Sequence, residues 1–216
     1  MINKISLKEA KKIKLFNRVE KKYLCTETQL TSIIDYATEN GFAIVCEDDK
    51  TSFNYTSVYC DSVDKQMWNA HDRRDVHRQK FRIRIYDDGK TFIEIKDKNN
   101  GIGRKKRINT NKLNTIDLQS WICENLMYDI EDLKITLTVS YDRTTYLNVD
   151  RQERMTIDRN IKFVNHITGK EYAYDGCVLE IKRQPDAESP LENVLNSLNI
   201  EHERFSKYYI GVSVTS

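Results

Sequence analysis

The chain has 216 residues, of which 39% are hydrophobic, enough to form one sizeable core. Its 35 lysines and arginines are almost balanced by 33 aspartates and glutamates, so the formal net charge is only +2. The total charge therefore gives no argument for an anionic partner, and such an argument depends on where the charges lie along the chain. No stretch is long and apolar enough for a membrane-spanning helix or a signal peptide. We therefore predict a cytoplasmic protein with no direct membrane insertion.

The sequence contains no internal repeat and no linker rich in glycine, serine or proline. We predict one domain over residues 17–216, preceded by a basic N-terminal extension over residues 1–16. The five cysteines are dispersed and form no Cys-x-x-Cys pair, which indicates reduced thiols and neither a disulfide framework nor a zinc site. His71 and His77 lie close to several arginines, and we predict a solvated polar loop there.

Three helices are predicted from apolar residues at helical spacing. The first covers residues 28–40 and is followed by Gly41, a common residue after the last helical turn. The second covers residues 111–128, where Leu113, Trp121 and Leu126 belong to one apolar face. The third covers residues 190–198 and begins at Pro190, since proline is favoured in the first helical turn.

Most of the remaining sequence alternates between apolar and polar residues with a period of two. Between residues 80 and 86, apolar residues at odd positions alternate with Lys80, Arg82 and Arg84. Residues 87–90 are typical of a hairpin turn with Gly89 in the left-handed conformation, and a return strand follows. Further strands are predicted over residues 17–24, 56–61, 104–109, 134–147, 153–163 and 177–183. The fold class is therefore mainly β (α+β) with antiparallel strands.

Nearly every predicted strand carries two polar or charged residues on one face, in most cases at positions i and i+2. The pairs are Glu20 and Lys22, Arg82 and Arg84, Glu94 and Lys96, Lys105 and Arg107, Tyr141 and Arg143, Arg154 and Asp158, and Glu180 and Lys182. For a single strand, the solvated side of a sheet explains such a pair. If the sheet closes into a barrel, however, these faces converge on one axis. Like charges on neighbouring strands repel, so the repeated pattern favours a site for a polyphosphate-like anion.

The residue types fit phosphate recognition. Arginine forms two-pronged hydrogen bonds to phosphate oxygens, and lysine adds a mobile point charge. The carboxylates Glu20, Glu94 and Glu180 are candidate ligands of Mg²⁺ or Mn²⁺, which prefer oxygen donors and bridge carboxylate to phosphate. The alternative is that these carboxylates only neutralise the neighbouring lysines and arginines.

Nine short segments follow one another in the order seen in a known family. They are RVEKKY at 18–23, SVYCD at 57–61, RIRIY at 82–86, FIEIK at 92–96, KKR at 105–107, YDR at 141–143, RMTID at 154–158, VLEIK at 178–182 and RFSKY at 204–208. With this order, residues 17–210 resemble the VTC (vacuolar transporter chaperone) polyphosphate polymerase domain of the triphosphate tunnel metalloenzyme superfamily. Two positions differ from the family pattern: Arg204 stands where a lysine is expected, and Cys60 stands where an aromatic residue is usual.

The resemblance implies a closed eight-stranded antiparallel barrel that forms a tunnel, with a few helices outside. It implies that the γ-phosphate of ATP passes to a growing polyphosphate chain, with Mn²⁺ or Mg²⁺ held by Glu180. The implied phosphate- and nucleotide-binding residues are Lys22, Arg82, Arg84, Lys96, Lys105, Tyr141, Arg143, Arg154, Lys182, Arg204, Ser206 and Lys207. Within these sets, the predicted catalytic residues are Arg82, Arg84, Lys96, Arg143 and Glu180.

Three other functions compete with the polymerase. Tunnel triphosphatases resemble this chain but typically begin with Glu-x-Glu-x-Lys, and Arg18 replaces the first of those carboxylates. A non-catalytic polyphosphate-binding module is the second alternative. A nucleic-acid-binding domain is disfavoured by the near-neutral charge and the interspersed carboxylates. The predicted partners are ATP and inorganic polyphosphate or triphosphate and no nucleic acid, and a membrane-protein partner is left open.

Overall fold

The computed structural model describes residues 2–13, 18–112 and 114–216, without the side chain of Lys112. Asn17 of the first predicted strand and Leu113 of the second predicted helix lie outside the described residues. Strands form at β1 (Lys4–Ser6), β2 (Val19–Cys25), β3 (Ala43–Cys46), β4 (Ser52–Asp61), β5 (His77–Tyr86), β6 (Thr91–Asn99), β7 (Ile102–Asn109), β8 (Lys134–Asn148), β9 (Glu153–Asn165), β10 (Glu171–Ala173) and β11 (Cys177–Arg183). Helices form at α1 (Leu7–Ala10), α2 (Glu27–Glu39), α3 (Gln66–Asp72), α4 (Thr115–Asn125), α5 (Leu191–Ser197) and α6 (Lys207–Thr215). The predicted mainly β, antiparallel fold class is confirmed.

The chain forms two compact units. Unit 1 consists of Met1–Phe53, Tyr141–Ile161 and Asp175–Phe205, and unit 2 consists of Asn54–Ser140, Lys162–Tyr174 and Ser206–Ser216. Strands β8 and β9 are long enough to contribute residues to both units. Among the described residues, no helix is long and apolar enough to cross a membrane.

In unit 1, the alternation of β2, β9 and β11 gives the sheet one apolar face. Tyr23, Leu179 and Ile157 lie side by side on these three strands, and each is almost fully buried. They pack in one core with Leu30 of α2 and Leu195 of α5. Burying such side chains stabilises the fold by about 1.5–3 kcal/mol each. The polar residues between them therefore lie on the opposite face of the sheet.

The three predicted helices are present, and their ends follow the capping residues. The second is shorter than predicted, since α4 covers Thr115–Asn125 of the predicted 111–128. Helix α2 begins after Thr26, whose hydroxyl accepts a hydrogen bond from the Gln29 backbone while the Gln29 side chain accepts from the Thr26 backbone. It ends before Gly41, which has a positive φ of 83°. Helix α4 begins after Asn114, whose side-chain oxygen accepts from the Asp117 backbone.

In unit 2, strands β4, β5, β6 and β7 are neighbours in the sheet. Phe81 and Ile95 are directly opposite each other on β5 and β6 and belong to a core with Met67 of α3, Ile122 of α4 and Leu126, which follows α4. The apolar face of the 80–98 hairpin therefore packs against the helices, as the sequence indicates. Its polar residues form the other face.

Several elements differ from the sequence-based expectation. The N-terminal segment includes β1, which pairs in parallel with β3, and α1, whose Ala10 packs against Val45 and Leu147. Helices α3 and α6 were not predicted, because each is short and its apolar residues do not repeat over several turns. The predicted solvated loop around His71 is wrong: His71 belongs to α3, and its Nδ1 atom is buried.

The predicted closed barrel is not observed. Across the described ranges, the hydrogen-bonded order of strands runs from β2 through β11, β9, β8, β4, β5 and β6 to β7, and it does not return to β2. Periodicity specifies which face of each strand is buried, but not whether the last strand pairs with the first. Most residues of β7 are exposed and several are basic, which is typical of an edge strand protected against pairing.

Gly211 of α6 allows close packing in unit 2. A Cβ atom at this position would lie 2.5 Å from side-chain carbons of both Leu137 and Phe163. We expect Gly211→Ala to lower the free energy of unfolding by about 1–3 kcal/mol, because overpacking outweighs the gain in helix propensity. Urea denaturation followed by circular dichroism measures this. Gly103→Ala is the matched control, since its Cβ would meet no atom within 4 Å, and equal stability of the two variants would contradict the prediction.

Candidate functional site

On the polar face of unit 1, charged residues form two cross-strand rows. Lys22 of β2 lies opposite Glu180 of β11, and Glu180 lies opposite Thr156 of β9. The next row contains Glu20, Lys182 and Arg154, again from β2, β11 and β9. The alternation of the three strands therefore brings together the predicted residues Glu20, Lys22, Arg154, Glu180 and Lys182.

Two lysines and two glutamates of these rows form one network, which we call the lysine–glutamate cluster (Glu20, Lys22, Glu180 and Lys182). Lys22 pairs with Glu20, and Lys182 pairs with Glu180. Lys22 Nζ also lies 3.4 Å from Glu180 Oε2, and Lys182 Nζ lies 3.8 Å from Glu20 Oε2. Burial lowers the pKa of Lys182 well below its ordinary value; Glu20 opposes this shift, while nearby cations add to it. In formal charge, the two lysines of the network balance its two glutamates.

Arg143 and Tyr141 of β8 occupy fixed positions in unit 1. The Arg143 guanidinium donates two hydrogen bonds to Asp158, with Nε 2.6 Å from Oδ1 and Nη2 2.8 Å from Oδ2. It also lies over the ring of Tyr141, 5.3 Å from the ring centre. Because Asp158 is buried, this two-pronged pair holds the guanidinium in one orientation.

Arg154 and Thr156 add donors beside the lysine–glutamate cluster. Arg154 Nη2 lies 3.5 Å from the carbonyl oxygen of Ile13. Among the residues that the structure describes, the buried hydroxyl of Thr156 has no hydrogen-bond partner. Since a buried hydroxyl without a partner costs free energy, this position fits a group that brings its own oxygen atoms.

In unit 2, a buried carboxylate organises the basic residues, which we call the Glu94 cluster (Arg82, Glu94 and Lys105). Arg82 donates to Glu94 Oε2 through Nε at 2.8 Å and through Nη2, and Lys105 Nζ lies 2.9 Å from Oε1. Glu94 has no exposed surface. Burial alone would raise its pKa, yet the positive charges of Arg82, Lys105 and Arg84 hold the pKa well below its ordinary value.

Arg84 and Lys96 lie on the same polar face of unit 2. Arg84 is buried, its Nη2 donates to Ser57 Oγ at 3.2 Å, and its guanidinium lies 5.4 Å from the centre of the Tyr55 ring. Lys96 of β6 is exposed and lies between Lys80 of β5 and Lys105 of β7. The predicted residues Arg82, Arg84, Lys96 and Lys105 are therefore brought together on adjacent strands.

The predicted C-terminal residues fall in both units. Ser206 caps α6, with its Oγ 3.4 Å from the backbone nitrogen of Tyr209, and accepts a hydrogen bond from Lys80 Nζ at 2.8 Å. Lys207 is the first residue of α6. Arg204 belongs to unit 1 and is exposed, and no hydrogen bond or ion pair joins it to the lysine–glutamate cluster within the described residues.

Asp61, Tyr59 and Tyr208 form a support for Arg82 to which sequence reasoning assigned no role. The buried Asp61 carboxylate accepts hydrogen bonds from the backbone nitrogens of Met67 and Trp68, both at 2.9 Å, and from the Tyr208 hydroxyl at 2.5 Å. The Tyr208 ring stacks on Tyr59, 4.9 Å between centres, and the Tyr59 hydroxyl oxygen accepts from Arg82 Nη1 at 3.3 Å. The available signal was the i, i+2 spacing of Ser57, Tyr59 and Asp61 on β4.

The carboxylates differ in how well they suit a divalent cation. Within residues 2–13, 18–112 and 114–216, no group of three or more histidine, cysteine, aspartate or glutamate side chains is arranged to hold a metal. Glu20 and Glu180 offer oxygen donors on adjacent strands beside the buried Thr156 hydroxyl, which fits an Mg²⁺-type ion that keeps waters and phosphate oxygens as further ligands. Glu20 and Glu180 pair with Lys22 and Lys182, as Glu94 pairs with Arg82 and Lys105. The Glu94 side chain has no exposed surface, however, whereas those of Glu20 and Glu180 are 33% and 9% exposed.

A comparison with models of protein families identifies the family of this chain. Residues 17–216 match the VTC domain. The chain belongs to the VTC domain family. The predicted family is therefore confirmed, over nearly the whole sequence. A search of curated protein sequences finds no match to this VTC domain.

Several solved structures share the fold of this chain. A proposed adenylate cyclase from Vibrio parahaemolyticus has 13% identity and a TM-score of 0.52, over 93% of this VTC domain chain and 99% of its own. Another, from Bacillus halodurans, has 12% identity and a TM-score of 0.54, over 88% and 96%. A Hippeastrum protein described as an adenylyl cyclase with dominant triphosphatase activity has 10% identity and a TM-score of 0.51, over 92% and 97%. At this identity, the likeness shows a shared fold.

Proposed function

We propose that this VTC domain is a polyphosphate polymerase that transfers the γ-phosphate of ATP to a growing inorganic polyphosphate chain. The observation that carries the proposal is the polar face of unit 2, where Arg82, Arg84, Lys96 and Lys105 lie on three adjacent strands around one carboxylate, Glu94. Several cations per carboxylate is an arrangement that an anion with several charges stabilises.

The arginines act as pre-oriented hydrogen-bond donors to phosphate oxygens. Glu94 and Tyr59 hold Arg82, Ser57 holds Arg84, and Asp158 holds Arg143, so each guanidinium is oriented before substrate arrives. Pre-oriented charges stabilise the transferring phosphoryl group without reorganisation during the reaction. In this proposal, further basic and hydroxyl side chains also contact phosphate. They are Lys22, Lys96, Lys105, Arg154, Lys182, Ser206, Lys207 and the hydroxyl of Tyr141. Exposed Arg204 adds positive charge near the C-terminus.

The proposed reaction is an in-line displacement. A terminal oxygen of the acceptor polyphosphate forms a bond to the γ-phosphorus of ATP, the bond from that phosphorus to the bridging β–γ oxygen breaks, and ADP leaves with that oxygen. The attacking phosphate is already ionised, so no side chain has to remove a proton. A divalent cation, Mn²⁺ or Mg²⁺, held by Glu20 and Glu180 would neutralise charge on the phosphates.

Hydrolysis of triphosphate is the second candidate. The fold neighbour from Hippeastrum is described as a triphosphatase, and this VTC domain keeps Glu20 and Lys22 of the corresponding strand. Arg18 stands in place of the first carboxylate of the hydrolase pattern, which removes one ligand for a metal that activates water. A binding module without catalysis is the third candidate.

One assay distinguishes these functions. The purified chain is incubated with ATP and Mn²⁺, and the products are separated on a polyphosphate-resolving gel while free phosphate is measured. We expect polyphosphate chains and ADP in proportion to the ATP consumed. Free phosphate without polyphosphate chains would contradict the polymerase proposal and support a triphosphatase. Tight triphosphate binding with neither product would leave a binding module.

A further inference from the structure

Two side chains bind different nitrogens of the Arg82 guanidinium. Glu94 Oε2 accepts hydrogen bonds from Nε and Nη2, whereas the Tyr59 hydroxyl oxygen accepts from Nη1 at 3.3 Å. The guanidinium carbon also lies 6.0 Å from the centre of the Tyr59 ring. Because both bonds to Glu94 end on one oxygen atom, these two bonds alone do not fix rotation of the guanidinium about that oxygen. The contact with Tyr59 restricts this rotation.

Tyr59 is held in turn by Tyr208 of α6. The two rings stack, with 4.9 Å between their centres and 21° between their planes. Both side chains are almost completely buried. Because a closely packed interior leaves little room for either ring to tilt alone, the orientation of Tyr208 determines that of Tyr59.

The Tyr208 ring is anchored through its hydroxyl, which donates to Asp61 Oδ2 at 2.5 Å. Asp61 is fixed by the backbone, because its carboxylate accepts from the backbone nitrogens of Ser62, Met67 and Trp68, each at 2.9 Å. Burial, and then the charge of Asp61, raise the pKa of Tyr208, so the hydroxyl keeps its proton and remains the donor at neutral pH. This anchor therefore exists before any substrate binds.

We propose that Tyr208 is a positioning residue for phosphoryl transfer, and that it acts through Tyr59 on Arg82. The proposal rests on the proposed function, in which Arg82 stabilises the transferring phosphoryl group, and it adds a residue of α6 to that task. A guanidinium held on both sides needs no reorganisation during the reaction. Without the Tyr208 hydroxyl, the stacked rings lose their anchor and Arg82 adopts further orientations. The loss falls on kcat, because the charge of Arg82 remains in the site for substrate binding.

The test measures the steady-state kinetics of ATP consumption by Tyr208→Phe, which removes the hydroxyl and keeps the stacked ring. We expect kcat to fall about tenfold while KM for ATP stays within about twofold. Tyr209→Phe is the matched control. It removes the hydroxyl of the next residue on the same helix, which donates to the exposed Asp72 at 2.7 Å. This control should leave both constants within about twofold of the unsubstituted protein.

A double-mutant cycle distinguishes positioning from a general loss of structure. Tyr59→Phe removes the acceptor for Arg82 Nη1 and should also lower kcat about tenfold. If Tyr208 acts through Tyr59, the double variant should lose about tenfold in total, whereas two independent effects would multiply to about a hundredfold. A hundredfold loss would overturn the proposal. So would a kcat of Tyr208→Phe equal to that of Tyr209→Phe.

Loss of folding and failure of the proposed function are visible separately. Circular dichroism shows whether each variant is folded under assay conditions. If Tyr208→Phe does not fold, Tyr59→Phe decides: the expected fall in kcat supports the proposal, and an unchanged kcat overturns it. Free phosphate as the product, with the same dependence on Tyr208, would remove the polymerase and keep the positioning role. Polyphosphate synthesis that does not depend on Tyr208 would do the reverse, and an unsubstituted protein that consumes no ATP would overturn both.

Discussion

Replacing Glu94 by glutamine should lower the free energy of unfolding by about 3–5 kcal/mol, because it leaves the buried Arg82 guanidinium without its counter-charge. Glu94 is fully buried and accepts hydrogen bonds from Arg82 and Lys105 on its two oxygens. Lys105 is partly exposed and can turn its ammonium towards water, whereas Arg82 is only 5% exposed. The loss therefore falls mainly on Arg82. Urea denaturation measures it.

The pH dependence gives a second measurement of the same residue. The folded state holds the pKa of Glu94 below the ordinary value of 4.5, so its contribution to stability is fully present above that pH. It is lost as the pH falls below 4.5 towards the folded pKa. The difference in unfolding free energy between the unsubstituted protein and Glu94→Gln should therefore be constant at neutral pH and shrink in acid. A difference that grows in acid would contradict this sign.

Glu124→Gln is the control, since Glu124 lies exposed on α4 and the substitution removes the same charge. It should change stability by less than about 0.5 kcal/mol. If Glu94→Gln is no less stable than Glu124→Gln, Glu94 does not balance Arg82, and other contacts of Arg82, including that with Tyr59, must orient it.

The sequence was sufficient to predict the strands that carry the site. Alternation predicts that Arg82 and Arg84 lie on one face of β5 and Phe81 and Ile83 on the other, as they do in the structure. The same rule holds for Glu180 and Lys182 on β11. Period two depends only on which face of a strand is buried, a property that each strand carries in its own residues. That is why the polar pairs could be identified without knowledge of strand order.

Side-chain partners and strand closure could not be predicted in the same way. Asp61 accepts a hydrogen bond from the Tyr208 hydroxyl, and the two residues are 147 positions apart in the sequence. No local pattern relates two residues at such a separation. From the sequence, Glu94 has two possible roles, metal ligand and counter-charge, because one strand does not show that Arg82 and Lys105 approach it from the two neighbouring strands. Edge pairing of β7 depends likewise on the whole sheet. Long-range contacts decide these features, and periodicity does not encode them.

Replacing Glu180 by glutamine should lower the rate of polyphosphate synthesis about 10²–10³-fold while the fold is retained. In the proposed function, Glu180 and Glu20 hold the divalent cation, so the variant loses one of its two charged ligands. The fold tolerates the change because burial already lowers the pKa of Lys182, the ion-pair partner of Glu180. Lys182 can release its proton and avoid an unpaired buried charge.

The measurement separates a metal ligand from a general phosphate-site residue. Binding of Mn²⁺, followed by electron paramagnetic resonance, should weaken at least tenfold in Glu180→Gln, and synthesis should recover in part at high Mn²⁺. Glu188→Gln, an exposed position that follows β11, is the matched control and should leave both unchanged. If synthesis falls while Mn²⁺ binding is the same as in the control, Glu180 positions Lys182 and Lys22 towards phosphate. The cation would then be held elsewhere, which would remove Glu180 from the proposed metal site while leaving the cationic face of unit 2 intact.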